Sequence, residues 1–220
     1  DWFEWSEGRL SLGKKSAKSG SSRDIQSYGI SVGADKIKKD DRDTMYGYVF
    51  QYGNDNVDIG GEGTKLNTDS YSLALYRTKI RDNEIFTDGV IGLSLLHVDH
   101  KRVINGNTLK GNREGQQIYG SINFGKRLHD EKFNYNPGIK IDLGYTQLKA
   151  FREKTTLGNS LSDALIYKDQ NIKSALATIG VLFDTTNQQD EKTTNHHGRL
   201  EYVGDLSPSS NAEFYYINNQ

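Results

Sequence analysis

The 220-residue chain contains no cysteine, only 2 prolines and no long apolar run. The absence of cysteine excludes a disulfide framework and thiolate chemistry. The longest apolar stretch, from Val90 to Val98, is interrupted by Gly92 and Ser94, so no segment approaches the roughly 18 residues that a spanning helix requires. Neither charge sign dominates, because 28 Lys and Arg face 29 Asp and Glu. That balance argues against a nucleic-acid partner.

The most informative pattern present is a strict alternation of apolar and polar residues, which is clearest over 133–145. A period of two indicates a β-strand with different surroundings on its two sides. One side carries Phe133, Tyr135, Pro137, Ile139, Ile141, Leu143 and Tyr145, and the other carries Asn134, Asn136, Gly138, Lys140, Asp142 and Gly144. Such a strand suits a membrane barrel, whose outside meets lipid and whose lumen meets water.

The overall composition is compatible with such a barrel. Mean hydropathy is -0.74 and hydrophobic residues make up 34% of the chain, which is low for a membrane protein. In a barrel, however, only alternate residues of each strand meet lipid, and the loops are polar. The 23 glycines and 13 tyrosines fit a curved sheet with aromatic girdles.

About ten strands are predicted, and their connections alternate between short and long. The strands are expected at 2–13, 24–37, 43–54, 67–79, 84–98, 115–128, 132–148, 172–185, 194–204 and 211–219. Tight polar turns are expected at 38–42, 81–83 and 129–131, and long loops at 54–66, 99–114 and 149–171. Outer-membrane barrels sort short turns to the periplasmic rim and long loops to the outer rim. This ordering predicts an N-terminus on the periplasmic side.

Several segments, in order along nearly the whole chain, resemble a known family, the autotransporter β-domain, which is the translocator barrel of type V secretion. The run from Ser27 to Asp35 resembles that family's second strand. The later matching segments are Tyr52–Asp58, Asp69–Tyr76, Asp88–Gly92 and Gly198–Tyr202.

The resemblance implies an all-β fold, an antiparallel transmembrane β-barrel of the outer-membrane type, in which the family has twelve strands and about ten are visible here. It implies a single barrel domain over 1–220, incomplete at its C-terminal end and lacking the passenger and the pore helix. The implied function is to anchor an N-terminal passenger and export it across the outer membrane of a Gram-negative bacterium. The implied partners are the lipid bilayer, the passenger domain and the outer-membrane barrel assembly machinery. No cofactor, metal or enzymatic activity is expected.

The alternation also assigns candidate residues to the two faces. The lumen-lining candidates are Lys140, Asp142, Arg199, Glu201, Gly33 and Gly144. The lipid-facing candidates are Tyr28, Ile30, Val32, Tyr46, Tyr48, Phe50, Ile139, Ile141, Leu143 and Tyr145. The lumen charges either hydrate the pore and contact a threaded polypeptide, or form a cross-strand ladder of ion pairs that satisfies the interior.

Three alternatives remain open on the sequence. One is another outer-membrane barrel, such as a small porin or an adhesion barrel. Another is a protease at the barrel rim, which would use His97, Asp99 and His100 together with Asp55 and Asp58. A third is a soluble all-β binding domain, in which the aromatic series along 46–52 would form a stacking platform.

Overall fold

The computed structural model describes residues 1–16, 21–130, 133–155, 162–189 and 192–217. The strands are β1 (Phe3–Lys15), β2 (Arg23–Lys38), β3 (Asp41–Ile59), β4 (Thr64–Ile80), β5 (Ile85–Ile104), β6 (Asn107–Lys126), β7 (Leu128–His129), β8 (Asn134–Leu148), β9 (Phe151–Arg152), β10 (Lys154–Thr155), β11 (Leu165–Tyr167), β12 (Gln170–Gln189), β13 (Lys192–Asp205) and β14 (Phe214–Tyr216). Within these described ranges, no helix is long and apolar enough to cross a membrane.

Nine long strands follow one another in a single antiparallel sheet, in the order β1-β2-β3-β4-β5-β6-β8-β12-β13. The short strands β7 and β10 pair with β8 and β6, and a separate three-stranded sheet has the order β14-β11-β9. The expected all-β antiparallel fold is therefore confirmed.

The main sheet curls into a half-barrel, so its two faces are not equivalent. On one face, side chains meet across the curve of the sheet, where Trp5 of β1 reaches Tyr76 of β4 and Tyr119 of β6 reaches Ser72 of β4. We call this side the concave face and the opposite side the convex face.

The convex face carries a belt of large apolar side chains that remain exposed. We call this belt the apolar band; it includes Ile30, Val32, Tyr48, Phe50, Tyr71, Leu73, Leu75, Ile91, Leu93, Leu95, Ile118, Ile122, Phe124, Ile139, Ile141, Leu143 and Ile179. Leu93 is 62% exposed and Leu143 is 57% exposed. A continuous apolar belt of this kind does not find its partner within the sheet, because its side chains remain exposed.

Two of the predicted long loops are wrong, because the strands continue through them. β3 extends to Ile59 and β4 begins at Thr64, which leaves only 60–63 as a turn. β5 and β6 are joined by Asn105 and Gly106 alone, both at positive φ, as a two-residue hairpin requires. The polar residues that suggested loops lie on strands that project beyond the apolar band, where both faces carry polar side chains.

The third predicted loop and the tenth predicted strand are also corrected. The segment 149–171 contains the short strands β9, β10 and β11. Only Phe214–Tyr216 of the expected strand 211–219 is extended, and it pairs with β11 outside the main sheet. Residues 218 and 219 lie outside the described ranges. Within those ranges the main sheet has nine long strands, where the sequence suggested about ten.

Candidate functional site

The polar residues singled out from the sequence lie together on the concave face. In β8, Lys140, Asp142 and Gly144 alternate with Ile139, Ile141, Leu143 and Tyr145 on the convex face. In β13, Arg199 and Glu201 share the concave face, as Gly33 does in β2. The convex candidates Tyr28, Ile30, Val32, Tyr46, Tyr48 and Phe50 are all exposed. The identity of the medium at each face remains a prediction.

The ion pairs on this face run along strands and not across them. Lys140 Nζ lies 2.9 Å from Asp142 Oδ1, and Arg199 Nε lies 3.2 Å from Glu201 Oε2. Both pairs join residues two apart, whose side chains project from the same face. The cross-strand ladder considered above is therefore wrong for these four residues. Because the pairs are substantially exposed, each contributes no more than about 1 kcal/mol.

A chain of hydrogen bonds crosses the concave face near the end of the sheet where β2 is joined to β3. Trp5 Nε1 donates to the Tyr76 hydroxyl at 2.9 Å, and that hydroxyl donates to Asp35 Oδ2 at 2.8 Å. Gly33 makes the approach of the indole possible, since a Cβ there would lie 2.5 Å from Trp5 Cζ2. The network joins β1 to β4, which are three strands apart in the sheet, and so stabilises the curvature of the sheet.

The other end of the concave face, where β5 is joined to β6, is covered by part of the chain between β8 and β12. We call Lys149–Asp169 the inner segment; it is described over 149–155 and 162–169. Its strand β10 pairs with β6 through Lys154↔Lys110 and Thr155↔Leu109. The Phe151 ring lies over Gly111, where a Cβ would be too close to it.

A buried carboxylate fixes the inner segment to the sheet. Glu153 is 0% exposed and accepts hydrogen bonds from Arg102 Nε at 2.9 Å and Nη2 at 2.6 Å. The Leu165 backbone amide donates to the same carboxylate at 2.9 Å. His100 Nδ1 lies 3.5 Å from Glu153 Oε1. Arg102 and His100, both of β5, thus lie against the carboxylate of Glu153 in the inner segment.

Aromatic and aliphatic packing surrounds this charge pair. Phe151 and Tyr167 stack with ring centroids 4.5 Å apart and planes 3° apart, and His100 packs edge-on against both rings. The side chains of Leu109 and Ala164 are fully buried there. Burial lowers the pKa of His100, which lies above the apolar band.

Sequence reasoning missed this cluster because 149–171 was interpreted as a polar loop. The available signal was the apolar content of its second half, where Ala164, Leu165, Ile166 and Tyr167 are consecutive. Of its counterparts on β5, His100 is predicted from the sequence only as part of a rim site, and Arg102 is not predicted. Nothing in the local pattern paired those residues with Glu153, because they are separated by 51 positions or more.

The acid and imidazole groups considered for a protease do not form one constellation. His97 Nε2 lies 3.5 Å from Asp99 Oδ1 on the convex face, whereas His100 lies on the concave face. Asp58 pairs with Lys65 at 2.9 Å, and Asp55 lies opposite Thr68. Among the residues that the structure describes, no group of three or more His, Cys, Asp or Glu side chains is arranged to hold a metal ion.

Comparison with known proteins agrees with this geometry. No curated protein sequence matches the chain. The chain resembles the translocator domain of the autotransporter NalP from Neisseria meningitidis, with a TM-score of 0.60, 16% identity, and coverage of 93% of this chain and 75% of that one. It also resembles the β-domain of the Bordetella autotransporter BrkA, with a TM-score of 0.71, 12% identity, and coverage of 96% and 82%.

A comparison with family models shows more than a similar fold, because it places the chain in a family. The family model described as the autotransporter β-domain matches residues 4–220, which is nearly the whole chain. Its members are outer-membrane barrels of Gram-negative bacteria that export a passenger domain, so the implied function and location are confirmed. The chain belongs to the autotransporter β-domain family.

Proposed function

We propose that the convex face contacts the acyl chains of the outer membrane and that the concave face lines the water-filled conduit through which the passenger passes. The apolar band carries this proposal, because side chains such as Leu93 and Leu95 stay exposed while polar residues occupy the opposite face. Lipid is the surrounding that makes such a band favourable. The lumen residues Lys140, Asp142, Arg199 and Glu201 keep the conduit hydrated, and Gly33 and Gly144 leave room for larger neighbours.

The proposal further holds that the chain acts as a conduit and anchor and carries no catalysis of its own. The supporting observation is that His97 and His100 project from opposite faces, so the rim acids do not converge on one imidazole. Insertion requires the barrel assembly machinery, since a strand cannot enter lipid with its backbone groups unpaired.

We also propose that residues 1–220 form one β-domain whose outer strands β1 and β13 are joined through further strands in the membrane. These strands stand at the two ends of the sheet order in the described residues. An edge exposed to lipid costs several kcal/mol for each unsatisfied backbone group, which favours closure.

A pair of neighbouring substitutions in β8 tests the assignment of the faces. Ile141→Arg places a charge on the apolar band and is expected to destabilise the barrel by roughly 2–4 kcal/mol, if that position lies near mid-bilayer. Asp142→Asn is the matched control, because it alters the next residue on the concave face. Stability is measured by the loss of the heat-modifiable gel shift in the full protein extracted from outer membranes.

The two faces must respond differently for the proposal to stand. Equal tolerance at Ile141 and Asp142 would show that the faces are not distinguished by their surroundings. A protein that stays monodisperse without detergent would show that the apolar band does not contact lipid.

A further inference from the structure

The convex face carries a row of lysines that runs across neighbouring strands above the apolar band. Lys65 of β4 lies in register with Lys101 of β5, Lys101 with Lys110 of β6, and Lys110 with Lys154 of β10. We call these four residues the lysine row. Since strands are about 4.8 Å apart, the row spans about 15 Å.

The register fixes the side of the sheet from which the row projects. Lys101 is an even number of positions from Leu95 in β5, and Lys65 is an even number from Tyr71 in β4. Leu95 and Tyr71 are exposed members of the apolar band. Because successive side chains alternate between faces, the lysines point outward and not into the lumen.

Most of the row has no charge partner in the described part of the chain. Lys65 Nζ lies 2.9 Å from Asp58, whereas no ion pair is formed there by Lys101, Lys110 or Lys154. Like charges directly opposite each other destabilise a sheet. A row of them therefore indicates an anion that lies outside the sheet.

The surface around the row suits an anionic head group. A shallow groove of about 520 Å³ follows the row, and its lining also includes Asn56, Asn67, Asn112 and Asp99. The amide groups offer additional hydrogen-bond donors and acceptors for hydroxyl and phosphate oxygens. A groove as long as this row fits several anionic groups on one molecule better than a single phosphate ion.

The height of the row above the apolar band indicates which molecule that is. Lys101 lies six residues beyond Leu95, about 20 Å along the strand, or about 15 Å in height for a typical barrel tilt. This is the level of the head groups and not of the acyl chains. We propose that the lysine row binds the phosphorylated, acidic head group of lipopolysaccharide in the outer leaflet, an inference that rests on the proposed contact of the convex face with lipid.

Binding by a double variant tests the proposal. The full protein is purified from outer membranes in detergent, and its affinity for lipopolysaccharide is measured for wild type and for K101Q/K110Q. The control K38Q/K39Q removes the same charge from the turn at the opposite rim. K101Q/K110Q is expected to lower the affinity about tenfold, while K38Q/K39Q leaves it unchanged. Phosphatase-treated lipopolysaccharide is expected to bind wild type more weakly, and inorganic phosphate to compete poorly.

A stability measurement separates binding from a structural role. Without lipopolysaccharide, K101Q/K110Q is expected to melt at the wild-type temperature or above it, because the substitutions relieve repulsion between Lys101 and Lys110. A lowered melting temperature together with unchanged binding would overturn the proposal. So would inorganic phosphate that binds as tightly as lipopolysaccharide with the same lysine dependence.

Two further outcomes distinguish this inference from the function on which it rests. If the protein fractionates with the outer membrane but K101Q/K110Q binds lipopolysaccharide like the control, only the head-group proposal fails. If the protein does not fractionate there at all, the proposed lipid contact fails with it. Loss of passenger display with lipopolysaccharide binding unchanged would overturn the head-group proposal in favour of an acidic passenger surface.

Discussion

Arg102 and Glu153 form a two-pronged ion pair, with Nε 2.9 Å from Oε1 and Nη2 2.6 Å from Oε2, although 51 residues separate them in the chain. The Glu153 side chain is fully buried, while that of Arg102 is 17% exposed. Parallel bonds of this kind are stronger and more specific in geometry than single ones. The pair therefore determines where the inner segment lies on the concave face, at the end of the sheet where β5 is joined to β6.

Removal of Arg102 is expected to release the inner segment. Arg102→Ala leaves the buried carboxylate of Glu153 without its cation, a change that costs about 3–5 kcal/mol at buried pairs. The 220 residues contain no cysteine, so a single cysteine introduced at Ala164, which is fully buried, reports the release. Its labelling by a thiol reagent is expected to accelerate strongly in the Arg102→Ala background.

Two comparisons show whether this effect belongs to the buried pair. The double variant Arg102→Met/Glu153→Met is expected to label more slowly than Arg102→Ala, because no uncompensated charge remains. Lys149→Ala breaks an exposed pair with Glu114, 3.1 Å apart, and is expected to leave the rate almost unchanged. Rapid labelling in the Lys149→Ala protein would mean that exposed contacts such as Lys149 with Glu114 hold the segment, and not the buried pair of Glu153 with Arg102.

Gly33 is predicted to be sensitive to a single added methyl group. A Cβ at this position would lie 2.5 Å from Trp5 Cζ2 and 2.7 Å from the Tyr48 carbonyl oxygen, so Gly33→Ala must displace the indole from Tyr76. The expected cost is about 1–3 kcal/mol, measured by denaturant unfolding in detergent. Gly89→Ala is the control in β5, since nothing lies within 4 Å of its Cβ position. Similar midpoints for both variants would contradict the close approach.

The faces of the strands were predictable from the sequence, and the lengths of the hairpins were not. Around Ile141 a period of two is sufficient, because one side of the strand is uniformly apolar and the other uniformly polar. Beyond the apolar band the alternation disappears, since both faces of β3 and β4 near Val57 and Leu66 carry polar residues. A polar strand in water and a polar loop then have the same composition, and only backbone pairing distinguishes them.

The attachment of the inner segment was unpredictable for a different reason. Glu153 looks like any charged loop residue, and its importance comes from burial against Arg102 and His100, which are distant in sequence. The chain also places Phe151 and Tyr167 in contact by folding the segment back on itself. Long-range pairing of this kind leaves no periodic trace in a single sequence.

Alanine substitutions of Ser72 and Ser94, which form a hydroxyl pair on the concave face, are expected to have unequal costs in stability. Their oxygens are 2.7 Å apart and both residues are buried, and Tyr119 of β6 reaches Ser72 across the curve of the sheet. Ser72→Ala leaves the buried Ser94 hydroxyl without its partner and removes the contact with Tyr119, so it is expected to cost about 1–3 kcal/mol. Ser94→Ala leaves Ser72 in contact with Tyr119, so its expected cost is about 1 kcal/mol or less. Denaturant midpoints check this order, which equal costs would contradict.

The attachment of the inner segment is expected to weaken in acid because of His100. Burial is the main cause that lowers the pKa of His100, and it outweighs the opposing effect of Glu153; Arg102 and Arg113 lower the pKa further. The imidazole therefore stays neutral in the packed state below the pH at which a free histidine takes up a proton. The released state binds more protons there, so stability rises with pH. The stability that the neutral imidazole of His100 contributes to the packed segment is fully present above about pH 6.5. It decreases as the pH falls from there towards the lowered pKa of His100.

The cysteine at position 164 measures this dependence directly. Its labelling rate, divided by that of a cysteine at the exposed position Ala150 at each pH, is expected to rise as the pH falls from 8 to 5.5. His100→Phe keeps a ring that can pack edge-on against Phe151 and Tyr167 but removes the titrating group. The normalised rate of that variant is expected to stay constant over the same range. If wild type and His100→Phe responded equally to acid, another group would have to be responsible for the release.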